Sequence, residues 1–232
     1  RGVASDGQRV PVQSDRDLAL PAKMFDQTLP AVVSAEGQVV EPGGVGGREG
    51  ALAVERQAEI ERVDRYKPPI VLEGGSIHVD GEGTVITTEE CLLSPGRNPD
   101  LSREQIEQYL RDYLNVDTVI WLARGIDPEE TNGHVDDVAC FVRPGVVLAA
   151  VTEDKDDWRY ELLQDNLQRR REATDARGRR LEVHTVPMPA IIEITEEEAW
   201  GIDTVEGSIP RKPGDKTAAS YLNFLICNGG VV

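Results

Sequence analysis

The 232-residue sequence is short of several things, and each shortage excludes a class of function. It has no stretch of 18 apolar residues, which argues against a transmembrane helix, and its first residues lack the pattern of a secretory signal. Basic residues are few, with 25 Lys and Arg against 42 Asp and Glu. Because phosphate binding depends on Lys and Arg, no nucleic-acid partner is expected. The net charge of −17 suits a cationic small substrate, or simply keeps the protein soluble.

Cysteine is also scarce. Cys91, Cys140 and Cys227 are an odd number, and they lack the close spacing of a disulfide framework or a zinc site. Such a set is typical of reduced thiols and predicts a cytoplasmic protein without a bound metal. No motif in the chain predicts an organic cofactor.

The composition of the chain changes near residue 60. Residues 1–60 contain a glycine-rich run and little apolar periodicity, with a strand expected only at 31–33 and a short helix at 51–60. This pattern predicts a poorly ordered or divergent N-terminal segment, followed by a globular domain over residues 61–232. The final apolar run, 218–232, predicts a strand pair. Since a domain rarely ends on an unpaired apolar strand, we expect the chain to be incomplete at its C-terminus.

The globular part repeats one order of elements: strand, strand, helix, strand. Repetition at this interval predicts α/β structure assembled from equivalent units. The first helix is expected to begin at Ser102, which forms a Ser-x-x-Gln capping box with Gln105. The predicted strands are 70–72, 76–79, 84–88 and 116–122 in the first unit and 134–142, 146–151 and 181–186 in the second, whose helix is predicted at 157–174.

A short His-x-Asp phrase occurs once in each unit, as His78-Val79-Asp80 and as His134-Val135-Asp136, with the two histidines 56 residues apart. Residues i and i+2 of a strand share a face, so each phrase is expected to present an imidazole beside a carboxylate. With Glu73, such groups suit a planar guanidinium cation, whose N–H donors match carboxylates in pairs. Hydrolysis of that cation ordinarily needs a thiolate nucleophile and a proton-transferring histidine.

Closely spaced motifs occur in the segments 72–84, 87–93, 97–99, 131–136, 140–145, 218–224 and 228–230. These motifs resemble the agmatine deiminase family of guanidine-modifying enzymes, to which the bacterial type of peptidyl-arginine deiminase is related. The resemblance implies an α/β propeller of five ββαβ blades, here partial and incomplete at both ends. It also implies hydrolysis of agmatine to N-carbamoylputrescine and ammonia, a step towards putrescine and other polyamines, without any cofactor.

The resemblance further implies roles for four residues. His134 would be the general acid and base, Glu73 and Asp136 would hold the guanidinium, and Glu130 would lie near the amine end of agmatine. The nucleophilic cysteine of the family lies in a late Gly-Gly-Asn-Ile-His-Cys motif that these 232 residues do not contain. We therefore expect the nucleophile beyond Val232, and we expect the three cysteines present to be structural.

Two other interpretations remain open on the sequence. The chain could be an inactive fragment or pseudoenzyme that only binds guanidinium ligands or a partner subunit. Alternatively, the two His-x-Asp pairs could bind a divalent metal ion, although no third set of ligands has metal-like spacing. The sequence is also compatible with a homo-oligomer. His78 is expected to be a structural counterpart of His134 and not a catalyst.

Overall fold

The computed structural model describes residues 32–33, 39–40, 59–60, 62, 65–66, 68–126, 131–201, 212–224, 226–227 and 230–231. Near the N-terminus, β1 (Val32–Val33) pairs antiparallel with β2 (Val39–Val40), which pairs parallel with β3 (Arg65–Tyr66). The strand expected at 31–33 is therefore present. Of the helix predicted at 51–60, only residues 59–60 are described, and they are helical. Most of the N-terminal segment lies outside the described residues.

The first ββαβ unit is a three-stranded sheet in the order β4, β5, β6. β4 and β5 are antiparallel around a tight turn, while β5 and β6 are parallel because a helix returns the chain between them. The elements are a 3₁₀ turn (Gly74–Ser76), β4 (Ile77–Val79), β5 (Thr84–Thr88), α1 (Glu89–Leu92), α2 (Arg103–Leu114) and β6 (Thr118–Leu122).

Helix α2 begins where its sequence predicts. The Ser102 hydroxyl accepts a hydrogen bond from the Gln105 amide at 3.3 Å, and the Gln105 side chain accepts one from the Ser102 amide at 2.8 Å. These two bonds satisfy donors that a helix leaves free at its first turn. Ile106, Leu110 and Leu114 then recur at helical spacing and form the buried face.

The second unit repeats the topology of the first. β7 and β8 are antiparallel around a turn in which Gly145 adopts a φ of +76°, and β8 pairs parallel with β9. The α/β fold of repeated ββαβ units predicted from the sequence is thus confirmed. The elements are β7 (Ala139–Arg143), β8 (Val146–Val151), α3 (Tyr160–Glu172) and β9 (Glu182–Pro187).

The two units share a core instead of packing as separate bodies. Ile86, Ile120 and Leu122 of the first unit belong to the same buried cluster as Val147 and Leu163 of the second. A separate cluster lies between α2 and the start of the first unit. The shared burial keeps the two units in one fixed relation, because separating them would expose both apolar faces to water.

Polar side chains also connect the units. Asn166 is fully buried in α3, and its amide group accepts from the Ala123 N–H at 2.9 Å and donates to the Arg124 carbonyl at 2.7 Å. At the other end, the Thr84 hydroxyl accepts from the Ala176 amide at 3.0 Å. These bonds satisfy buried polar groups across the interface, which would otherwise be costly to bury.

Two predicted strands are wrong. Residues 70–72 are irregular although Ile70 and Leu72 are buried, because the amide and carbonyl of Val71 both bond to the side chain of Asn98 instead of to a strand. The strand predicted at 134–142 begins only at Ala139. Residues 136–138 form a turn, and the amides of Val135 and Asp136 bond to the Gly75 carbonyl outside any strand ladder.

The C-terminal part contains the strand pair that its apolar run predicts. β10 (Ile226–Cys227) and β11 (Gly230–Val231) form a two-stranded antiparallel hairpin, preceded by the short helix α4 (Glu196–Gly201). Residues 218–224 contain no strand. Within the described part of the chain, no helix is both long and apolar enough to span a membrane.

Candidate active site

Glu73 lies at the centre of the candidate site, immediately before the 3₁₀ turn. Its backbone is held by Ser76, whose hydroxyl donates to the Glu73 carbonyl at 2.6 Å and accepts from the Glu73 amide at 3.1 Å. Its carboxylate oxygen Oε2 accepts from Arg97 through Nη2 at 2.5 Å and Nε at 2.9 Å. The same oxygen lies 2.6 Å from Nε2 of His134. One oxygen therefore joins a guanidinium and an imidazole.

The charge of Glu73 is set by these two neighbours. Burial alone raises the pKa of its carboxyl group, but hydrogen bonds from His134 and Arg97 outweigh that effect, and the pKa lies below its usual value. Glu73 is consequently a carboxylate at neutral pH. Arg97 is held in place by a second bond, from Nη2 to the Thr131 carbonyl at 2.6 Å.

His134 is positioned by the first unit through backbone bonds. The carbonyl of Gly75 accepts from the amides of Val135 and Asp136, at 3.0 and 3.3 Å. On the other side, the Thr88 hydroxyl donates to the Gly133 carbonyl at 2.5 Å. These contacts bend the chain before β7 begins and aim the imidazole at Glu73.

Gly75 is required here by space. A Cβ atom at this position would lie 2.6 Å from Oδ2 of Asp136 and would also collide with Nδ1 of His134. The absence of a side chain therefore lets the imidazole and the carboxylate approach the same point of the backbone. The predicted juxtaposition of His134 and Asp136 is present, but through a bent loop and not through the face of a strand.

Asp136 is buried and short of partners. Among the described residues its Oδ1 has no hydrogen-bond partner, and its Oδ2 accepts from the side-chain amide of Asn223 at 3.3 Å. Burial raises the pKa of its carboxyl group to about 7, Asp137 adds to the increase, and His134 opposes it. The site therefore contains a carboxyl group that lacks the compensation that a buried charge needs.

Cys91 lies beside Glu73 and His134, a neighbour that the sequence did not predict. Its sulfur, a carboxylate oxygen of Glu73 and a ring nitrogen of His134 all lie within 4.8 Å of one another. Cys91 lies on the short helix α1. Burial raises the pKa of its thiol to about 12, so it is protonated at neutral pH.

The first His-x-Asp phrase does not join the site. The His78 ring accepts a hydrogen bond at Nδ1 from the Phe141 amide at 3.2 Å, and burial lowers its pKa to about 4. Asp80 closes its own turn, with Oδ1 accepting from the Glu82 and Thr84 amides at 2.8 and 2.9 Å. The two phrases therefore do not form a joint metal site among the residues described here.

The four residues assigned on the sequence have different outcomes. Glu73, His134 and Asp136 come together, whereas Glu130 lies outside the described residues. Reasoning from the sequence missed Arg97 and Cys91 as neighbours of Glu73. Both occur in segments that carry the family resemblance, but no spacing rule indicates a contact between residues 24 positions apart, such as Arg97 and Glu73.

Cys140 behaves as the sequence predicts. It lies in β7, is almost fully buried, and the pKa of its thiol is raised by burial to about 12. His184 is exposed on β9 and pairs with Glu182 at 2.7 Å, far in the sequence from the other site residues. Neither residue contributes a group to the site around Glu73.

Comparison with known proteins places the chain in one family. The sequence model of the Porphyromonas-type peptidyl-arginine deiminase family matches residues 48–232. An agmatine deiminase of Pseudomonas aeruginosa (strain UCBPP-PA14) is 57% identical over 175 residues, which are 75% of this chain and 48% of that protein. The chain thus spans about half the length of the curated relatives it matches.

Solved structures agree with this relationship. The agmatine deiminase of Enterococcus faecalis is 57% identical with a TM-score of 0.74, covering 78% of this chain and 50% of that one. A C. jejuni agmatine deiminase shares the fold at 23% identity, with a TM-score of 0.62 over 84% of this chain and 51% of that one. On the family match and on these likenesses, the chain belongs to the Porphyromonas-type peptidyl-arginine deiminase family.

Proposed function

We propose that this chain carries the guanidinium-binding and proton-transfer groups of an agmatine deiminase. The observation that carries the proposal is Asp136, a buried carboxyl group with a partnerless oxygen beside the Glu73–His134 pair. A guanidinium would supply the missing N–H donors and the missing positive charge. The names of the relatives favour agmatine as the substrate.

The electrostatics of the site favour a cationic ligand. Glu73 is ionised, and binding of a cation would favour the charged form of Asp136 by offsetting the cost of its burial. Arg97 already occupies Oε2 of Glu73, so the ligand would bond to the other carboxylate oxygen and to Asp136. We propose that Glu130 contacts the amine end of agmatine.

The proposed reaction has two halves. A thiolate attacks the guanidinium carbon and forms a C–S bond; His134 protonates one amino group, the C–N bond breaks and ammonia leaves. His134 then takes a proton from water, which attacks the resulting thiouronium carbon. The C–S bond then breaks, the hydroxyl proton of the adduct passes to solvent, and the thiolate and N-carbamoylputrescine are released. This sequence consumes one water molecule and uses no cofactor.

The thiol for this reaction is proposed to lie outside residues 1–232, in the late Gly-Gly-Asn-Ile-His-Cys motif of the family. Cys91 is the nearest sulfur, but a thiol whose pKa is about 12 supplies very little thiolate at neutral pH. The binding-only alternative differs from the enzyme at this point. It predicts that the guanidinium binds but that no C–N bond breaks, even when further residues are present.

We propose that the two ββαβ units are blades of a five-bladed α/β propeller that is only partly present in this chain. Their identical strand order and shared core support this proposal. We also propose that a globular domain begins at residue 61, after an N-terminal segment of residues 1–60, and that the protein is cytoplasmic. The proposed function is compatible with a homo-oligomer.

Calorimetric titration with agmatine tests the binding proposal. The chain should bind agmatine but not putrescine, which has the same amine without the guanidinium. Asp136→Asn should abolish the heat, and Glu182→Gln, which changes an exposed carboxylate on β9, should leave it unchanged. Equal heats from agmatine and putrescine would contradict guanidinium recognition.

Ammonia release tests the reaction. We expect none from this chain and measurable release from a version extended by the downstream residues of its gene. Release by the chain alone would contradict an external nucleophile, and Cys91→Ser would then show whether Cys91 supplies the thiol. Agmatine binding without ammonia from either version would favour the binding-only alternative.

A further inference from the structure

The cluster of Glu73, Cys91 and His134 combines a carboxylate, a thiol and an imidazole within 4.8 Å. These are the three side-chain types that bind zinc, and the softness of a thiolate favours Zn²⁺ over Mg²⁺ or Ca²⁺. The proposed hydrolysis has no use for Cys91, because its thiol is protonated and buried. We propose that these three residues form a site for a thiophilic divalent cation, with Zn²⁺ as the best match.

The geometry needs only small adjustments. Zinc lies about 2.0–2.3 Å from nitrogen, oxygen and sulfur ligands, so two ligands of a tetrahedral site are roughly 3.3–3.8 Å apart. Glu73 and His134, now 2.6 Å apart, would separate slightly, and Cys91 would move closer. Rotations of side chains supply such shifts. A water molecule would complete the fourth position.

The surrounding charges favour a cation here. Glu73 contributes a carboxylate to the cluster, and the carboxyl group of Asp136 lies beside His134, since a Cβ atom on Gly75 would contact both side chains. Arg97 can release Glu73 without becoming unpaired, since it also donates to the Thr131 carbonyl. On binding, the Cys91 thiol loses its proton to solvent and forms a metal–sulfur bond.

The metal site stands on this geometry and does not depend on the proposed hydrolysis. Its consequence for activity does rest on that function. Because Glu73 and His134 would be engaged by the metal, Zn²⁺ and a guanidinium could not bind at the same time. Zn²⁺ bound through Cys91 would then inhibit guanidinium binding, although Cys91 is not the nucleophile.

Cobalt titration tests the site directly. Untagged, reduced chain is titrated with Co²⁺ alone, and Zn²⁺ is then added to displace it. We expect a thiolate-to-cobalt charge-transfer band with the visible spectrum of four-coordinate cobalt, lost on addition of Zn²⁺. Absence of the band in the unmodified chain would overturn the proposal, whatever the agmatine titration shows.

Variants assign the band to its residues. Cys91→Ser should abolish it, while Cys140→Ser, which removes another buried thiol, should retain it. Since loss of outer partners alone weakens metal binding 10–100-fold, loss of the thiolate should weaken Zn²⁺ binding at least about 100-fold. A band that persists in Cys91→Ser would refute the assignment. If circular dichroism shows that Cys91→Ser is unfolded, His134→Ala replaces it, and unchanged Zn²⁺ affinity in that variant would equally refute it.

Discussion

The two ββαβ units have the same strand order, yet they use the same His-x-Asp phrase in opposite ways. In the first unit the phrase runs from β4 into a tight turn, and backbone amides bond to both side chains. In the second unit the phrase precedes β7, and its histidine bonds to the side chain of Glu73 instead. A repeated motif can therefore serve structure in one copy and leave its groups available for a ligand in the other.

The two aspartates illustrate the difference. Each leaves one buried oxygen without a partner, Oδ2 in Asp80 and Oδ1 in Asp136. The other oxygen of Asp80 accepts two short amide bonds, whereas that of Asp136 receives a bond of 3.3 Å from Asn223. Backbone amides compensate the first carboxylate within its own turn. In the second, burial raises the pKa of the carboxyl group despite backbone hydrogen bonds from Asp136 and Asp137, which fits a group that binds a cation.

The largest expected effect on stability comes from replacing Asp136. Because its folded pKa of about 7 lies above the unfolded value of 3.8, Asp136 destabilises the protein as pH rises from 3.8 through 7. Asp136→Asn should therefore raise the free energy of unfolding at pH 7.5, by about 2–4 kcal/mol, and should have little effect near pH 4. Urea unfolding at the two pH values measures this difference.

Asp80→Asn provides the matched control in the first unit. Removal of its charge weakens two charge-assisted bonds, so the free energy of unfolding should fall by about 1 kcal/mol at pH 7.5. A rise in stability for both variants would show that the two aspartates are equivalent, and would contradict the proposed difference in how their charges are compensated.

The two histidines should also differ in how much stability their replacement costs. His78→Ala leaves the buried Phe141 amide without its acceptor and opens a cavity, and should cost about 1–3 kcal/mol in urea unfolding at pH 7.5. His134→Ala should cost less than about 1 kcal/mol, because the side chain of His134 is only partly buried, and should abolish agmatine binding because it removes the imidazole beside Glu73. Equal stability losses from the two variants would argue against a structural role specific to His78.

Gly75 tests how the second phrase is held. Gly75→Ala places a methyl group against His134 and Asp136, and should lower the free energy of unfolding by about 1–2 kcal/mol while weakening agmatine binding. Its neighbour Gly74 has open space around the same position, so Gly74→Ala should change neither quantity. Chemical denaturation and calorimetry of both variants measure the difference. Retained agmatine affinity in Gly75→Ala would mean that the close approach is not needed.

The smallest effect concerns the helices of the two units. α2 ends its buried face with Leu114, whereas α3 buries Arg170. Within the described part of the chain, Arg170 donates to the Val138 carbonyl at 3.2 Å, and its Nε and Nη2 have no partner. Burial lowers the pKa of its guanidinium to about 9. Arg170→Met should raise the unfolding temperature and add about 1 kcal/mol of stability, since an apolar chain of similar length avoids the burial of a charge. A loss of stability would indicate a partner for Arg170 that the described residues do not include.

The parts of the fold that depend on nearby residues were predictable. The capping box at Ser102, the apolar strand at Val146–Val151 and the turn at Gly145 all follow from residues within a few positions of one another. Errors arose where a distant group, a side chain or a backbone carbonyl, replaced a strand partner. Asn98 satisfies the backbone of Val71 from 27 positions away, and no local pattern reveals such a bond.

The candidate site likewise has features that the sequence predicts and features that only the structure shows. The sequence by itself determined the repeat, the family and the three groups Glu73, His134 and Asp136, because these are properties of residue order. Only the tertiary structure decided that Arg97 and His134 share one oxygen of Glu73, and that Cys91 lies beside them. Those contacts join residues up to 61 positions apart. They form because burial of the shared core brings polar groups at its edge close together, where those groups pair with one another.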